Sequence, residues 1–325
     1  MHILVVGGAG YIGSVTVDQL VDAGHDVTVL DSLVAGHRSA LNPSAEFVQA
    51  DVREEEALNR LFAAHSFHAV INYGGYIIAP ESVRQPGRYF ANNIGGAIVL
   101  LNAMITFGVT RFVFSSSAAV YGEPQLNPIP EEHPLSPINP YGETKAAVER
   151  LLPWYDKQFG LNSVSLRYFN AAGATARLGE DHRPETHLIP NVLQAALGQR
   201  PAIALFGTDY PTRDGTCVRD YIHVSDLAAA HLLALDKTET DSAAYNLGSG
   251  VGFTNREVID AARHVTGADI PVTEEPPRPG DPAELVAASD RIRVELGWDP
   301  SHPEIEDIIE TAWRWHTDHP KGYAA

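Results

Sequence analysis

Four glycines fall within seven residues, Gly7-Gly8-Ala9-Gly10-Tyr11-Ile12-Gly13, directly after the apolar stretch Ile3-Leu4-Val5-Val6. A β-branched run that breaks on glycine and then resumes with helix-length periodicity reads as strand, tight turn and helix. Each glycine has a separate reason to be there. Gly7 permits the turn, Gly10 lets a phosphate approach the backbone, and Gly13 allows the helix to pack closely on the strand. The free amides of the helix N-terminus then face an anion such as a dinucleotide pyrophosphate. A plain strand–helix turn carries similar glycines, so the rest of the chain must decide.

The same strand–helix alternation continues. Ile3–Val6, Val27–Leu30, Phe47–Gln49, Ala69–Ile71 and Phe112–Phe114 are short apolar runs typical of buried parallel strands. Helix-length segments separate them at Tyr11–Ala23, Glu54–His65 and near Tyr89–Phe107. A further helix is expected from about Tyr141 to Phe159, with Asn139 as N-cap and Pro140 as first residue, and a sixth strand at Ser163–Phe169. Alternating βαβ order predicts an α/β fold, a doubly wound parallel sheet of Rossmann type with right-handed crossovers. After Phe169 the alternation lapses into proline and glycine punctuation, including Pro276-Pro277-Arg278-Pro279-Gly280. We read residues 1–169, with returning segments near 215–250, as a dinucleotide-binding domain. Residues 170–325, in pieces, read as a smaller, partly discontinuous substrate-binding domain, with Ala243–Leu247 returning to the main sheet.

Asp31 closes the second strand, 18 residues after Gly13. A carboxylate there accepts hydrogen bonds from ribose hydroxyls and repels a 2′-phosphate, so NAD is expected rather than NADP. Asp51, just past the third strand, suits an adenine amino group or simply closes its turn. A second constellation lies about 130 residues after the glycines: Ser115-Ser116-Ser117 at a strand end, then Tyr141-Gly142-Glu143-Thr144-Lys145. Tyrosine ionises near pH 10, so accepting a proton near neutrality needs about 4 kcal/mol favouring phenolate. Lys145, four residues on, shares a helix face with Tyr141 and is expected to supply most of that field, with the helix dipole adding to it. Ser117 would hold the reacting hydroxyl at a strand C-terminus, where open α/β sheets place their sites.

The charge balance excludes other classes. Net charge is −18, from 23 basic and 41 acidic residues, which disfavours nucleic acid or anionic membranes as partners. The single cysteine, Cys217, fits a reducing compartment, and no base near it in sequence suggests reactivity. No signal peptide is expected ahead of a strand beginning at His2, and the apolar run Ile94–Ile105 is too short to span a membrane. A cytoplasmic protein is expected. No metal site is expected either, because His182 and His187 with Asp181 lack recognisable ligand spacing, and no Gly-x-Ser-x-Gly elbow occurs.

Nearly end to end, the chain resembles the UDP-glucose (UDP-galactose) 4-epimerases of the extended short-chain dehydrogenase/reductase superfamily. The resemblance rests on the two motifs above, on Phe114-Ser115-Ser116-Ser117-Ala118-Ala119-Val120-Tyr121-Gly122 and on Leu166-Arg167-Tyr168-Phe169-Asn170. It extends through Phe206-Gly207-Thr208-Asp209-Tyr210-Pro211-Thr212, Asp214-Gly215-Thr216 and Val218-Arg219-Asp220-Tyr221-Ile222-His223-Val224. It implies that Gly7, Gly10, Tyr11, Ile12, Gly13, Asp31, Asp51, Val52, Tyr73, Gly75, Asn92, Ser115, Tyr141, Lys145 and Phe169 contact NAD. It also implies that Ser117, Tyr141, Asn170, His187, Leu188, Ala204, Phe206, Arg219, Arg278 and Asp281 face a UDP-sugar, the two arginines forking onto its diphosphate. A homodimer through the helices near residues 89–107 and 141–159 is part of the same implication.

The chain departs from that pattern in places. Val6 replaces a usual threonine, Ile77 a cofactor-contacting lysine, and His187 an asparagine that meets substrate. Leu285 stands where tyrosine restricts the sugar and small residues admit N-acetyl groups, so N-acetylhexosamine, uronate and pentose substrates stay open. A nucleotide-sugar 4,6-dehydratase needs an Asp-Glu pair where this chain has Ala118-Ala119. A non-catalytic NAD sensor would have no use for Ser117, Tyr141 and Lys145.

Overall fold

The computed structural model describes residues 1–278 and 281–323; Pro279 and Gly280, part of the proline–glycine punctuation, lie outside the described residues. The apolar runs form strands β1 (His2–Val6), β2 (Asp26–Asp31), β3 (Glu46–Gln49), β4 (Ala69–Asn72), β5 (Arg111–Ser115) and β6 (Asn162–Tyr168). They are followed by β7 (Asn170–Ala172), β8 (Ile203–Phe206), β9 (Val218–His223), β10 (Ala243–Leu247), β11 (Gly252–Thr254), β12 (Val272–Glu275) and β13 (Glu284–Leu285). Among the described residues a seven-stranded sheet runs in the order β10-β6-β5-β4-β1-β2-β3, parallel throughout. The expected Rossmann-type sheet is therefore present, and Ala243–Leu247 does pair beside β6.

Both faces of this sheet are covered, which explains why its strands are apolar runs rather than alternations. On one face Val17, Leu20, Leu227, Ala234 and Leu235 pack over Ile3, Val5, Val29 and Ile71. On the other, Leu58, Leu61, Leu100, Leu101, Met104 and Leu152 cover Leu4, Val70 and Phe112. Fully burying a side chain of this size stabilises by about 1.5–3 kcal/mol. A separate cluster joins Val192 and Leu193 of helix Leu188–Ala196 to Val258, Ile259, Ile308 and Ile309. Beside it lie a small sheet in which β9 pairs with β7, β11 and β13, and the pair β12–β8.

One helix is longer than its apolar core suggested. Pro86–Thr106 is continuous over 21 residues because a π-helical stretch, Phe90–Gly95, carries the backbone through Gly95-Gly96. At a mean hydropathy of 1.2 it is, among the described residues, the one helix that could cross a membrane by length and composition. Its Leu100, Leu101 and Met104 are fully buried against the sheet, the pattern of a core helix.

Candidate active site

A cleft opens at the carboxyl ends of β1 and β4, where the strand order reverses. Gly7, with φ +79°, turns the chain there; a Cβ on it would lie 2.9 Å from the amide nitrogen of Gly74, in the loop after β4. A Cβ on Gly13 would collide with the Gly7 carbonyl oxygen, whereas one on Gly10 would meet only that same oxygen, at 3.3 Å. Gly7 and Gly13 thus serve the protein's own packing, and Gly10 keeps space open in the cleft. No side chain caps helix Tyr11–Asp22 at Gly10, leaving its first-turn amides open to an anion.

Asp31 is locked at the far end of this turn. Its carboxylate accepts from the Ala9 amide (3.0 Å) and the Leu33 amide (2.8 Å). Burial raises its pKa, and the two amides pull it back. Asp51 instead accepts from Arg53 (2.5 and 2.9 Å), which holds its carboxyl below the ordinary value. Tyr11, Ile12, Val52, Tyr73, Gly75 and Asn92 all line the cleft, as does Ile77. Tyr11 donates to the Gly173 carbonyl (2.6 Å), and the Tyr73 hydroxyl meets that of Thr16 (2.6 Å).

Ser115, Tyr141, Lys145 and Phe169 are not part of the lining, whereas Tyr168 is. The Ser115 and Tyr168 hydroxyls are 2.5 Å apart. Helix Pro140–Phe159 begins as expected, with the Asn139 side chain accepting from the Gly142 amide (2.9 Å), so Tyr141 falls in the first turn. Phe169 and Leu285 each pack against the buried cluster of Val120, Tyr121, Ile129 and Ala146.

The expected field on Tyr141 needs correction. Lys145 Nζ lies 5.9 Å from the Tyr141 ring centre and donates to the Ser115 carbonyl (2.7 Å). In the protein alone burial pushes the Tyr141 phenol above its ordinary value, and a hydrogen bond with Ser117 draws it back. Burial also brings Lys145 down to about 8, opposed by Glu149. One N–H of the ammonium is held by that carbonyl, and the ammonium stays 5.9 Å from the ring centre.

The residues expected to face substrate gather around helix Leu188–Ala196 and strands β8, β9 and β13. Asn170 donates to the Asp220 carbonyl (2.9 Å). Leu188 opens its helix, and Ala204 is exposed on β8. Arg278 lies over the Phe206 ring at 3.9 Å. Arg219 is not free to fork: its guanidinium pairs with the Asp281 carboxylate and donates to the Val218 carbonyl (2.7 Å). His187 caps the same helix by position, but its Nδ1 is turned to Glu180 (2.7 Å) and Glu185 (2.9 Å). Burial alone would raise the Glu180 carboxyl and lower the imidazole; their mutual attraction reverses both.

Residues 3–248 match the family described as "NAD dependent epimerase/dehydratase family". A UDP-glucose 4-epimerase of Lacticaseibacillus casei is 51% identical over 99% of both chains. The chain belongs to the NAD dependent epimerase/dehydratase family. Among solved structures, one of a UDP-glucose 4-epimerase superposes with a TM-score of 0.98 at 48% identity, covering all of both chains. Another, the Bifidobacterium longum UDP-glucose 4-epimerase in complex with NAD+ and UDP, reaches 0.95 at 37% identity, covering 99% of this chain and 100% of that one.

The residues present in this family member fit a dinucleotide: the Gly7–Gly13 cradle excludes a Cβ, the helix N-terminus is uncapped, and Asp31 is fastened at the strand end. Several supporting residues escaped the sequence reading. Asn93, on the π-helical stretch, accepts from the Tyr76 amide (2.8 Å) and donates to Thr144 (3.0 Å), tying the cleft wall to the Tyr141 helix. Two consecutive asparagines in an apolar helix were the available signal. Glu149 sits buried between Ser116 (2.5 Å) and Arg167 (2.6 Å), close enough to act on Lys145. Asp220, fully buried, accepts from Ser249, Gly250 and Ala287 and so joins three segments at the sugar side.

Proposed function

We propose that the chain catalyses NAD-dependent 4-epimerisation of a UDP-hexose, interconverting UDP-galactose and UDP-glucose. Relatives named UDP-glucose 4-epimerase over the full chain length support the reading. The observation that carries it is the buried Tyr141 in the first turn of its helix, with Lys145 Nζ 5.9 Å from its ring centre and held on the Ser115 carbonyl, in a protein whose cleft carries Asp31.

In this reading Gly7, Gly10 and Gly13 seat the pyrophosphate, and Asp31 takes the adenosine ribose. When bound, NAD supplies the hydride acceptor and donor, and the positive charge of its oxidised ring. Tyr141 takes the proton of the sugar 4-hydroxyl as C4 loses hydride, and Ser117 holds that oxygen in line. The 4-keto sugar turns over and regains hydride on its opposite face, and Tyr141 returns the proton. Lys145 stabilises the transient phenolate across the helix face. No net oxidation occurs, so the cofactor stays with the enzyme. Arg219 and Arg278 leave Asp281 and Phe206 to meet the diphosphate.

The test is incubation with UDP-galactose, UDP-N-acetylgalactosamine and UDP-galacturonate in parallel, with product separation. UDP-glucose forming from the first is expected, and its absence removes the reading. The other two arms report the range that Leu285 permits.

Three further assignments belong to the same proposal. The dinucleotide-binding domain comprises residues 1–169 and a returning segment that starts at Val224, since β9 pairs within the smaller sheet. The chain forms a homodimer through helices Pro86–Thr106 and Pro140–Phe159, where Phe90, Trp154 and Phe159, and Phe107 just past the first helix, are exposed. Sedimentation equilibrium at twice the chain mass is the expected result. The buried free thiol of Cys217 supports a reducing, cytoplasmic setting.

A further inference from the structure

Residues 180–187 cross the mouth of the cleft without regular secondary structure, between β7 and helix Leu188–Ala196. Within these eight residues four side chains turn toward one point: Glu180, His182, Glu185 and His187. One ligand atom from each lies within 4.8 Å of all the others. The Glu180 Oε1 is 3.1 Å from His182 Nδ1 and 2.7 Å from His187 Nδ1. Glu185 is 3.8 Å from His182 Nδ1 and 2.9 Å from His187 Nδ1. The carboxylates are nearly inaccessible, at 5% and 3% of their side-chain surface. Among the described residues no arginine or lysine pairs with either. Asp181, which the sequence reading grouped with the histidines, points elsewhere, toward His37, Arg183 and the Tyr323 amide.

We propose that these four residues form a structural site for a zinc-class divalent cation. Two imidazole nitrogens and two carboxylate oxygens make a donor set that suits zinc and disfavours magnesium, which prefers oxygen and keeps its water. Zinc bonds of about 2.0–2.1 Å to nitrogen and oxygen require tetrahedral edges of roughly 3.3–3.4 Å. Glu180 Oε1 lies 3.1 and 2.7 Å from the two Nδ1 atoms, and Glu185 lies 2.9 Å from one by one oxygen and 3.8 Å from the other by its second oxygen, distances on either side of that edge. Each carboxylate is turned to an imidazole, and Glu185 also accepts from the Thr186 and His187 amides (2.7 and 2.8 Å), which fix it facing His187. The ion clasps an otherwise irregular segment over the cofactor cleft, next to Tyr11, whose ring meets His182 edge-on at 6.3 Å. It also anchors the start of the helix that carries Leu188.

A second grouping, His223, Asp226 and His302, provides the control. It offers three ligands rather than four, with Asp226, which accepts from the Ser301 and His302 amides (2.8 and 3.0 Å), as its one carboxylate. The test uses NAD-loaded full-length protein stripped by a chelator and dialysed against zinc chloride, with metal content read by mass spectrometry. About one zinc per chain is expected, lost in Glu180→Gln and His182→Ala and retained in His302→Gln. Magnesium chloride alone should give no binding and no rise in Tm. Cobalt(II) provides a second readout independent of variant folding: the wild-type chain should develop the intense visible bands of a tetrahedral ion. Zinc content well below one per chain, content unchanged in the Glu180 and His182 variants, or a weak octahedral cobalt spectrum overturns the site. Because the readouts are metal content and spectrum, the outcome is independent of which sugar the enzyme turns over.

Discussion

The two ends of the cleft are built on different principles. At the glycine turn, recognition is made of main chain: a positive-φ glycine, an uncapped helix end and a carboxylate fastened by two amides. At the proposed sugar end it is made of long side chains that hold one another, Arg219 with Asp281 and Arg278 over Phe206. The first end is preorganised and binds without rearrangement. The second must exchange internal partners for ligand, so part of its binding energy is spent on breaking contacts that the free protein already makes. In the proposed reading the chemistry lies on helix Pro140–Phe159, which Asn93 ties to the cleft wall through Thr144.

The largest effect should come from the point where the ends meet. Tyr141→Phe leaves both ends intact, so it should keep NAD and UDP affinity while kcat falls about 10²–10⁴-fold; near-normal turnover would separate Tyr141 from proton transfer. Arg219→Ala should weaken UDP binding by about 1.5–3 kcal/mol, roughly 10- to 100-fold by calorimetry, with NAD retention unchanged. A loss of cofactor instead would erase the distinction between the ends. The glycines allow the reverse cut. Gly13→Ala should destabilise the fold by about 1–3 kcal/mol in denaturant titration. Gly10→Ala should keep most of its stability yet copurify with little NAD.

Lys145 offers a pH-dependent contrast. Its folded pKa of about 8 lies below the unfolded value, so between these the unfolded chain binds more protons. Stability of the cofactor-free protein should therefore rise with pH above about 8, by at most about 1.4 kcal/mol per pH unit from this group. Subtracting the urea stability of Lys145→Met isolates the effect, and a flat difference would show that the lysine is not desolvated. The smallest expected change is at Leu285, packed against the same buried cluster as Phe169. Leu285→Ala should raise kcat/KM for UDP-N-acetylgalactosamine relative to UDP-galactose by about 10-fold or somewhat more, the worth of one pocket group.

Local features were legible before the structure was seen. The apolar runs marked the parallel strands because burial on both faces leaves no alternation to read, and Asn139-Pro140 marked the helix start because capping is decided within four residues. The π-helical stretch was not legible, and the hydrogen bonds that its Asn93 makes to Tyr76 and Thr144 join residues 17 and 51 positions away. The surroundings of Lys145 were likewise only partly legible. Helical spacing correctly placed Lys145 on the same face, but spacing says nothing of the Ser115 carbonyl that takes its proton donor.

By itself the amino-acid order determined the α/β layering, the dinucleotide turn and the shared face of Tyr141 and Lys145, because each is set by neighbours within a turn or a strand. Only the tertiary structure decided which charges meet. Arg219 finds Asp281 62 residues away, Lys145 finds a carbonyl 30 residues back, and two glutamates converge on two histidines. A charge several residues from many possible partners has no preference until the fold removes all but one of them from reach.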